Sequence, residues 1–453
     1  GLFFPAVNSL YTPVNRKIAT VFANYELTDN IELFGEMYIA DTETKELVNQ
    51  SAYQSYFFSQ ESAELTFSAD HPLLTDTAKA QLADLGLASF DLHRASADLG
   101  DNRSKNEGEL WRVVAGAKGT FEIADRSVDW DIAWTKGESK STITSNETIN
   151  DRFFYALDVV DVGNGPECRV VADPSSRPTD PASALGGSAF LPTNVFDDCV
   201  PLDLFGEGRP SAEAIEYVSA NATAKSILEQ EVFSFNANMG LFQLPAGEFS
   251  LAIGFEHREE SASFATDGVT SLGIGRSVPV KATSGGYDTD EWYAEIYVPV
   301  VSPDMDIPFV HAASIEGAFR QVDNSLAGKD DIYTYGGRFA PVEDLEFRGN
   351  VTRSVRAPAI TELFLPLSGT NSFAADPCDQ TNVDSGPAPA NRRANCIAAG
   401  IDPDNFSSNV RNASVQGRTG GNLDLANEVA DGFTYGVVIR PRWVQDLSVA
   451  IDY

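Results

Sequence analysis

The sequence predicts an all-β protein, an antiparallel up-and-down transmembrane β-barrel with long loops on one end. Three observations predict it. Apolar and polar residues alternate with a period of two over segments of roughly 10 residues, the length a tilted strand needs to cross a bilayer. These segments come in pairs, with short connections inside a pair and mostly long ones between pairs. The content of 35 Gly and 10% aromatic residues suits strands and turns better than a helical bundle.

The first hairpin is predicted at 18–27/31–40, with "TDN" as its turn. The second, 110–122/127–137, carries Val128, Trp130, Ile132 and Trp134 on one face and Asp129, Asp131 and Thr135 on the other. The third, 231–243/248–259, alternates Phe249, Leu251, Ile253 and Phe255 with Ser250, Ala252, Gly254 and Glu256. The fourth is 290–300/307–321 and the fifth 331–340/344–354, where Leu345, Phe347, Gly349 and Val351 alternate with Glu346, Arg348, Asn350 and Thr352. The sixth, 432–441/446–453, ends with Leu447, Val449, Ile451 and Tyr453 on one face. The long connections fall at 41–109, 138–230, 260–289, 322–330 and 355–431. Short helices are predicted inside them at 74–85, capped by Thr75 or Asp76, and at 210–219, opened by Pro210 and Ser211. Tyr25, Tyr38, Trp130, Trp134, Phe255, Trp292, Tyr435 and Trp443 are candidates for interfacial aromatic girdles.

A soluble sandwich would turn the apolar face inward, and its connections would not alternate so strongly in length. No run reaches the ~18 apolar residues of a membrane helix, which excludes helical spans and leaves barrel strands open. The formal net charge is −34, from 66 acidic and 32 basic residues, so nucleic acid is not an expected partner. Cys168, Cys199, Cys378 and Cys396 form two sequence-local pairs in polar stretches, without metal-ligand spacing and with no His close by. Two loop disulfides, Cys168–Cys199 and Cys378–Cys396, are the expected state, and four unpaired thiols the alternative.

No hydrolase elbow, zinc-helix motif or P-loop is present, and His71, His93, His257 and His311 are scattered, so no catalytic residues are assigned and an enzyme is not expected. No cofactor or metal is expected either. The acidic runs "DPDN" (402–405) and "DTDE" (288–291) do not match a calcium loop.

The stretch "GNVTRSVRAPAITELF" (349–364) resembles the late-barrel motif of TonB-dependent outer-membrane receptors, in which a strand ends with an Arg-Ala-Pro step and a Glu-Leu-Phe run. Further resemblances follow in order. "NRKIATVFANYELTDNIELFGEMY" (15–38) is similar to an earlier hairpin of the family. "DHPLLTDTAKAQL" with "DLHRASADLG" is similar to a loop of the family, with Asp70 and His71 in place of its usual opening. "CVPLDLFGEGRPSAEAIEYV" (199–218) resembles a disulfide-bearing loop. "GNLDLANEVADGFTYGVVIRP" (421–441) resembles a late strand entry, with Ala426 and Asn427 replacing the usual Lys-Pro.

The resemblance implies a fragment, residues 1–453, holding roughly twelve strands of a 22-stranded barrel, with no plug domain and no TonB-contacting segment in it. It also implies a Gram-negative outer-membrane location, outer-membrane lipid and TonB as partners, and import of a scarce nutrient. The ligand, a small molecule, saccharide or peptide, would be captured by loops 41–109, 138–230 and 355–431. Arg348, Asn350 and Arg356 are the candidates for lining the lumen or contacting the plug. Arg356, Ala357, Pro358, Glu362, Leu363 and Phe364 make the strand-exit motif, because Pro358 lacks an N–H and biases Ala357 away from the helical region. The alternatives are a passive porin or outer-membrane carbohydrate-binding protein, and a soluble secreted lectin-like protein.

Overall fold

The computed structural model describes residues 10–47, 52–53, 65–100, 102–178, 195–275, 278–411 and 414–453. Parts of the predicted loops 41–109, 138–230, 260–289 and 355–431 therefore lie outside the described residues. Twelve strands form one antiparallel sheet in which each pairs with the next in sequence. They are β1 (Val14–Thr28), β2 (Ile31–Leu47), β3 (Arg103–Ile123), β4 (Arg126–Thr148), β5 (Ser219–Leu244) and β6 (Gly247–Thr266). The sheet continues through β7 (Thr283–Val301), β8 (Ala312–Asn324), β9 (Gly328–Val342), β10 (Leu345–Arg356), β11 (Glu428–Ile439) and β12 (Val449–Asp452). The sheet is open, since β1 and β12 are its two ends.

The register aligns the apolar positions into one belt. Leu33 of β2 lies beside Ala117 of β3, Ala117 beside Ile132 of β4, Ile132 beside Phe235 of β5, and Phe235 beside Phe255 of β6. The row continues through Trp292 of β7 and Gln321 of β8, while one step along the strands Ala294, Phe319, Tyr333 and Arg353 align. Among the described residues no protein layer covers this face: Ile253 is 44% exposed, Ile315 55% and Phe433 62%. A soluble protein rarely leaves so large an apolar surface uncovered.

At one edge the belt stops sharply. Beyond Trp134, Phe233, Phe255 and Trp292 the same face continues with Lys136, Glu231, His257 and Asp290. The two indoles bridge this boundary. Trp134 Nε1 donates to Glu231 Oε1 at 2.7 Å, and Trp292 Nε1 donates to Gln321 Oε1 at 3.3 Å. An indole held with an apolar ring and a wet N–H is the arrangement a membrane interface favours. Tyr38, a girdle candidate, points instead to the polar face, since its neighbours Met37 and Ile39 carry the belt on β2. Trp443 sits in the last turn, 78% exposed.

Several strands run well past the predicted ends. β5 is 26 residues long and β4 is 23. Only about 10 residues per strand need be apolar on one side to cross a bilayer. Beyond the belt both faces are wet, so stretches such as "SKSTITSNET" (139–148) lose the alternation while keeping the ladder with β3 and β5. The predicted loops 41–109, 138–230, 260–289 and 355–431 are therefore shorter than expected at both ends. The predicted long connection 322–330 is a tight turn, Ser325–Ala327. The Asn324 side chain, fully buried, accepts from the N–H groups of Leu326 and Ala327 and donates to Thr289 Oγ1. Two predicted short turns are longer: 302–311 holds a single 3-10 turn, Pro303–Met305, and 440–448 separates β11 from β12.

The wall has almost no buried core of its own. The hydrophobic core lies in the loops. The strand pair Leu65–Ser68/Ser89–Leu92 packs with helix α2 (Asn150–Leu157), the strand pair Val159–Asp161/Pro166–Cys168 and helix α3 (Ala212–Val218). Leu65, Phe67, Leu99, Phe153, Leu157, Leu202, Leu204 and Tyr217 fill the centre of this head. The Cys168–Cys199 disulfide forms and its sulfurs lie in the same core. Helix α1 (Asp76–Asp84) starts where Thr75 accepts from Ala78 N, and α3 where Ser211 accepts from Ala214 N, so the cap residues act as the sequence implies. Helix α2 has no side-chain cap and was not predicted. It is held by tertiary contacts: Asn150 N and Nδ2 donate to the carbonyls of Ile274 and Gly275.

Candidate functional site: the polar face, its exit clamp and the loops above it

On the polar face a network joins four strands. Asn236 of β5 donates to Asp131 of β4 at 2.8 Å and accepts from the Tyr293 hydroxyl of β7 at 2.9 Å. Tyr293 reaches across β6 only because residue 254 is glycine: a Cβ there would collide with the Tyr293 ring. The Arg320 guanidinium stands 5.7 Å from the Tyr293 ring and pairs with Glu291. Further along, Arg258 pairs with Glu256 at 2.6 Å, and Glu260 accepts from Gln230 and from the Tyr287 hydroxyl. This is a half-exposed, hydrogen-bonding surface rich in carboxylates, suited to a wet passage and not to a packed core.

The candidate residues on β10 lie on this face. Arg348 grips Asp452 of β12 with two nitrogens, at 2.8 and 2.5 Å, over Gly436. Asn350 donates to Thr334 of β9 at 2.8 Å. Arg356, the last residue of β10, is held by two carboxylates: Glu428 across the ladder at 2.9 Å and Glu362 at 3.0 and 3.1 Å. Hydrogen bonds from Arg356 and then from Ala359 N hold the Glu362 carboxyl below the usual range.

The exit motif and the late strand entry, read separately in the sequence, are two halves of one clamp. β10 ends at Arg356, Pro358 is buried, and helix α4 (Ile360–Phe364) follows with Leu363 buried beneath it. Gly421 N donates to Leu365 O at 2.6 Å and Asn422 N to Glu362 O at 2.8 Å, just before β11 begins at Glu428. Asn427 donates to Asp330 of β9 at 2.7 Å. The clamp closes the base of the 357–427 loop.

Helix α4 also reaches inward. Phe364 lies over Gly285 on the polar face of β7, three strands from β10, and its carbonyl accepts from Thr283 Oγ1 at 2.6 Å. Any side chain at 285 would occupy the ring's place. Above it the strands Ser368–Phe373 and Ser414–Thr419 pair, and the Cys378–Cys396 disulfide ties helix α5 (Pro389–Ala398) to the turn around Asp379. Arg356→Ala removes the shared partner of Glu362 and Glu428 and leaves two carboxylates facing each other. Its expected result is faster hydrogen exchange at Glu362–Leu365 and Gly421–Glu428 with unchanged exchange in β3–β6. Protection unchanged at both segments would show that the backbone contacts alone hold the loop.

The head contains two buried titratable groups that oppose each other. His71 sits against Phe67 and Phe205 with Nε2 3.3 Å from Leu157 O, and burial lowers its pKa. Asp151, 4% exposed on α2 with Oδ1 unpartnered, is pushed up to about 6 by burial. For His71 the unfolded chain takes the proton first, so head stability is lost as pH falls below ~6.5. For Asp151 the folded state keeps its proton longer, so stability is lost as pH rises from ~3.9 through about 6. Asp151→Asn is therefore expected to raise the melting temperature of the head at pH 7.5 and to lose most of that gain at pH 4. Equal shifts at both pH values would show that Asp151 is not held as the acid.

Sequence reasoning named both Arg356 and Glu362 but not the across-strand carboxylates that hold Arg356 and Arg348. Glu428 and Asp452 stand in plain alternation and carry no motif of their own beyond the Glu ending the 421–428 stretch. The Asp131–Asn236–Tyr293 chain was signalled only by Gly254 in an otherwise regular strand.

No family model matches the sequence, and no curated protein matches it. Among solved structures, the chain is similar to the siderophore receptor PirA from Acinetobacter baumannii, with 11% identity and a TM-score of 0.45, over 97% of this chain and 42% of that one. It is also similar to a mutant of the ferric enterobactin receptor PfeA from Pseudomonas aeruginosa, solved with enterobactin, with 12% identity and a TM-score of 0.43, over 97% and 42%. The RagAB peptide importer matches with 10% identity and a TM-score of 0.41, over 94% of this chain and 38% of that one. The chain spans about two fifths of the length of these proteins.

Proposed function

We propose that this chain forms part of the wall and the outer loops of a TonB-dependent outer-membrane importer, and that it is not an enzyme. The observation that carries this reading is the uncovered apolar belt across the strands, bounded by indoles that donate to the polar side chains Glu231 and Gln321, with a polar network on the opposite face. An open sheet edge is not tolerated in lipid, so the wall is completed by further strands beside β1 and β12. Import is favoured over passive diffusion by α4, whose Phe364 reaches in over Gly285 on the polar face. The "RAPAITELF" and "GNLDLANE" stretches (356–364 and 421–428), joined in one clamp, support the TonB-dependent family in particular.

In this reading the polar face is the lumen. Arg348, Asn350 and Arg356 line it, and a plug domain meets the face through the outer edges of guanidinium groups that Asp452, Glu362 and Glu428 already orient. The ligand is a nutrient too large for passive pores, taken by the loops on both sides of the mouth. The test is to express the full-length protein in Gram-negative cells with and without TonB. The expected result is a heat-modifiable outer-membrane protein whose substrate uptake disappears without TonB. A soluble product overturns the barrel, and uptake that persists without TonB overturns energised import in favour of a porin.

A further inference from the structure

The head holds a groove that the wall and the clamp do not use. It is a cavity of about 770 Å³, within the roughly 300–1,000 Å³ range of ligand sites. One side is the strand Leu65–Ser68 and the other is Leu157–Asp161, with Phe154, 41% exposed, at its border. The two sides are strand edges. Leu65–Ser68 pairs only with Ser89–Leu92, and Val159–Asp161 only with Pro166–Cys168, among the described residues. Each strand has backbone N–H and C=O groups that its paired strand does not use, apart from Ser68 C=O, which accepts from His71 N at 3.1 Å. No hydrogen bond joins one strand to the other, and the His71 ring, with Nε2 3.3 Å from Leu157 O, closes the end of the groove beside Ser68. Unpaired edges of this kind are templates for an added strand.

The edges are also rigid. Leu65, Phe67 and Val159 are buried in the head core, while Thr66 and Ser68 face out. The Thr66 hydroxyl donates to Asp91 on the paired strand at 2.7 Å, and Arg169 clasps Asp158 at 2.9 and 3.0 Å. The groove carries Asp70, Asp158 and Asp161 against the single cation Arg169, which Asp158 already neutralises. The remaining charge of the groove lining is negative.

We propose that this groove binds an extended peptide of about four residues with a cationic side chain, inserted as a strand between Leu65–Ser68 and Val159–Asp161. At ~3.3 Å per residue, four residues match the length of the longer edge. Main-chain bonds to both edges supply affinity, Phe154 takes an apolar side chain, and Asp70 or Asp161 takes the cation. A saccharide's hydroxyls can donate and accept, but they do not repeat donor and acceptor at the strand spacing that a peptide supplies. The proposal names a ligand class for the loop capture proposed above and rests on the head facing the medium.

The test is fluorescence anisotropy on the full-length protein in detergent micelles, with fluorescein-labelled Val-Lys-Val-Thr amide as the probe. Three comparison peptides are used: one with alternate amide nitrogens methylated, one methylated in the other register, and one with Lys replaced by Glu. Because both edges are engaged, methylation in either register is expected to weaken binding at least tenfold, and so is the Glu replacement. The variant Asp161→Asn is expected to reduce the preference for Lys over Glu while retaining sensitivity to methylation. No binding at millimolar peptide, or equal binding of the methylated peptides, overturns the proposal. Absent peptide binding with uptake intact discards this groove and leaves the importer reading standing. Peptide binding without TonB-dependent uptake does the reverse.

Discussion

Replacing Ile253 with arginine is expected to destabilise the protein by about 2–4 kcal/mol in phospholipid vesicles, the cost of a cation near the bilayer midplane on the lipid face of a barrel. Ile253 is at the centre of the belt, between Leu251 and Phe255 on its own strand and beside Ala237 and Ala294 on the neighbours. Its side chain points away from the rest of the protein, so the same change in a water-exposed strand would cost almost nothing. Ser234→Arg is the control. It lies on the polar face of β5 opposite Glu256, where a guanidinium meets a carboxylate, and its expected cost is within about 0.5 kcal/mol. Denaturant unfolding of both variants, followed by tryptophan fluorescence of the full-length protein in vesicles, checks the pair. Equal costs on the two faces would mean that the belt does not face lipid.

The second large effect belongs to the head. Phe153→Ala is expected to destabilise it by about 3–5 kcal/mol, as removal of a buried phenyl ring does when its surroundings relax only partly. Phe153 is fully buried and belongs to the core that also holds Cys168, Leu202, Leu204 and Tyr217. The Cys168–Cys199 disulfide limits how far the unfolded loop spreads, so the variant head should loosen without losing its connection. The wall should be untouched, because each wall strand is held by its neighbours' ladder and not by this core. Limited proteolysis separates the two: cleavage between 150 and 218 rises in the variant while β3–β6 stay protected. If the wall is cleaved at the same rate as the head, the two unfold together and the head is not a separate unit. Arg356→Ala, by contrast, acts on an exposed ion-pair network and is expected to change loop exchange more than global stability.

The strand pairs were legible because a half-buried strand must alternate, and the belt makes each crossing segment do so. Trp130 and Trp134 could be placed on one face from spacing alone, and the register then set them beside Ala237 and Phe233. The disulfides were legible because each cysteine pair is local. The strand extensions were not, because above the belt both faces of β4 and β5 are wet and no period survives. The helix α2 was not, because its N-terminus is satisfied by carbonyls more than 100 residues away instead of by its own side chains.

By itself, then, the sequence determined the two faces of the segments that carry the belt, most of the short turns between paired strands, and the two local cysteine pairs expected to bond. Those properties depend on neighbours within a few positions, where the period of the backbone and the chemistry of each side chain suffice. Only the tertiary structure decided that Arg356 meets both Glu362 and Glu428, that Tyr293 crosses Gly254 to reach Asn236, and that the 41–109 and 138–230 loops share one core around Phe153. Each of these joins segments from different strands or loops. The pairing register sets the distance between them, and that register arises from the whole sheet and from no single stretch of the chain.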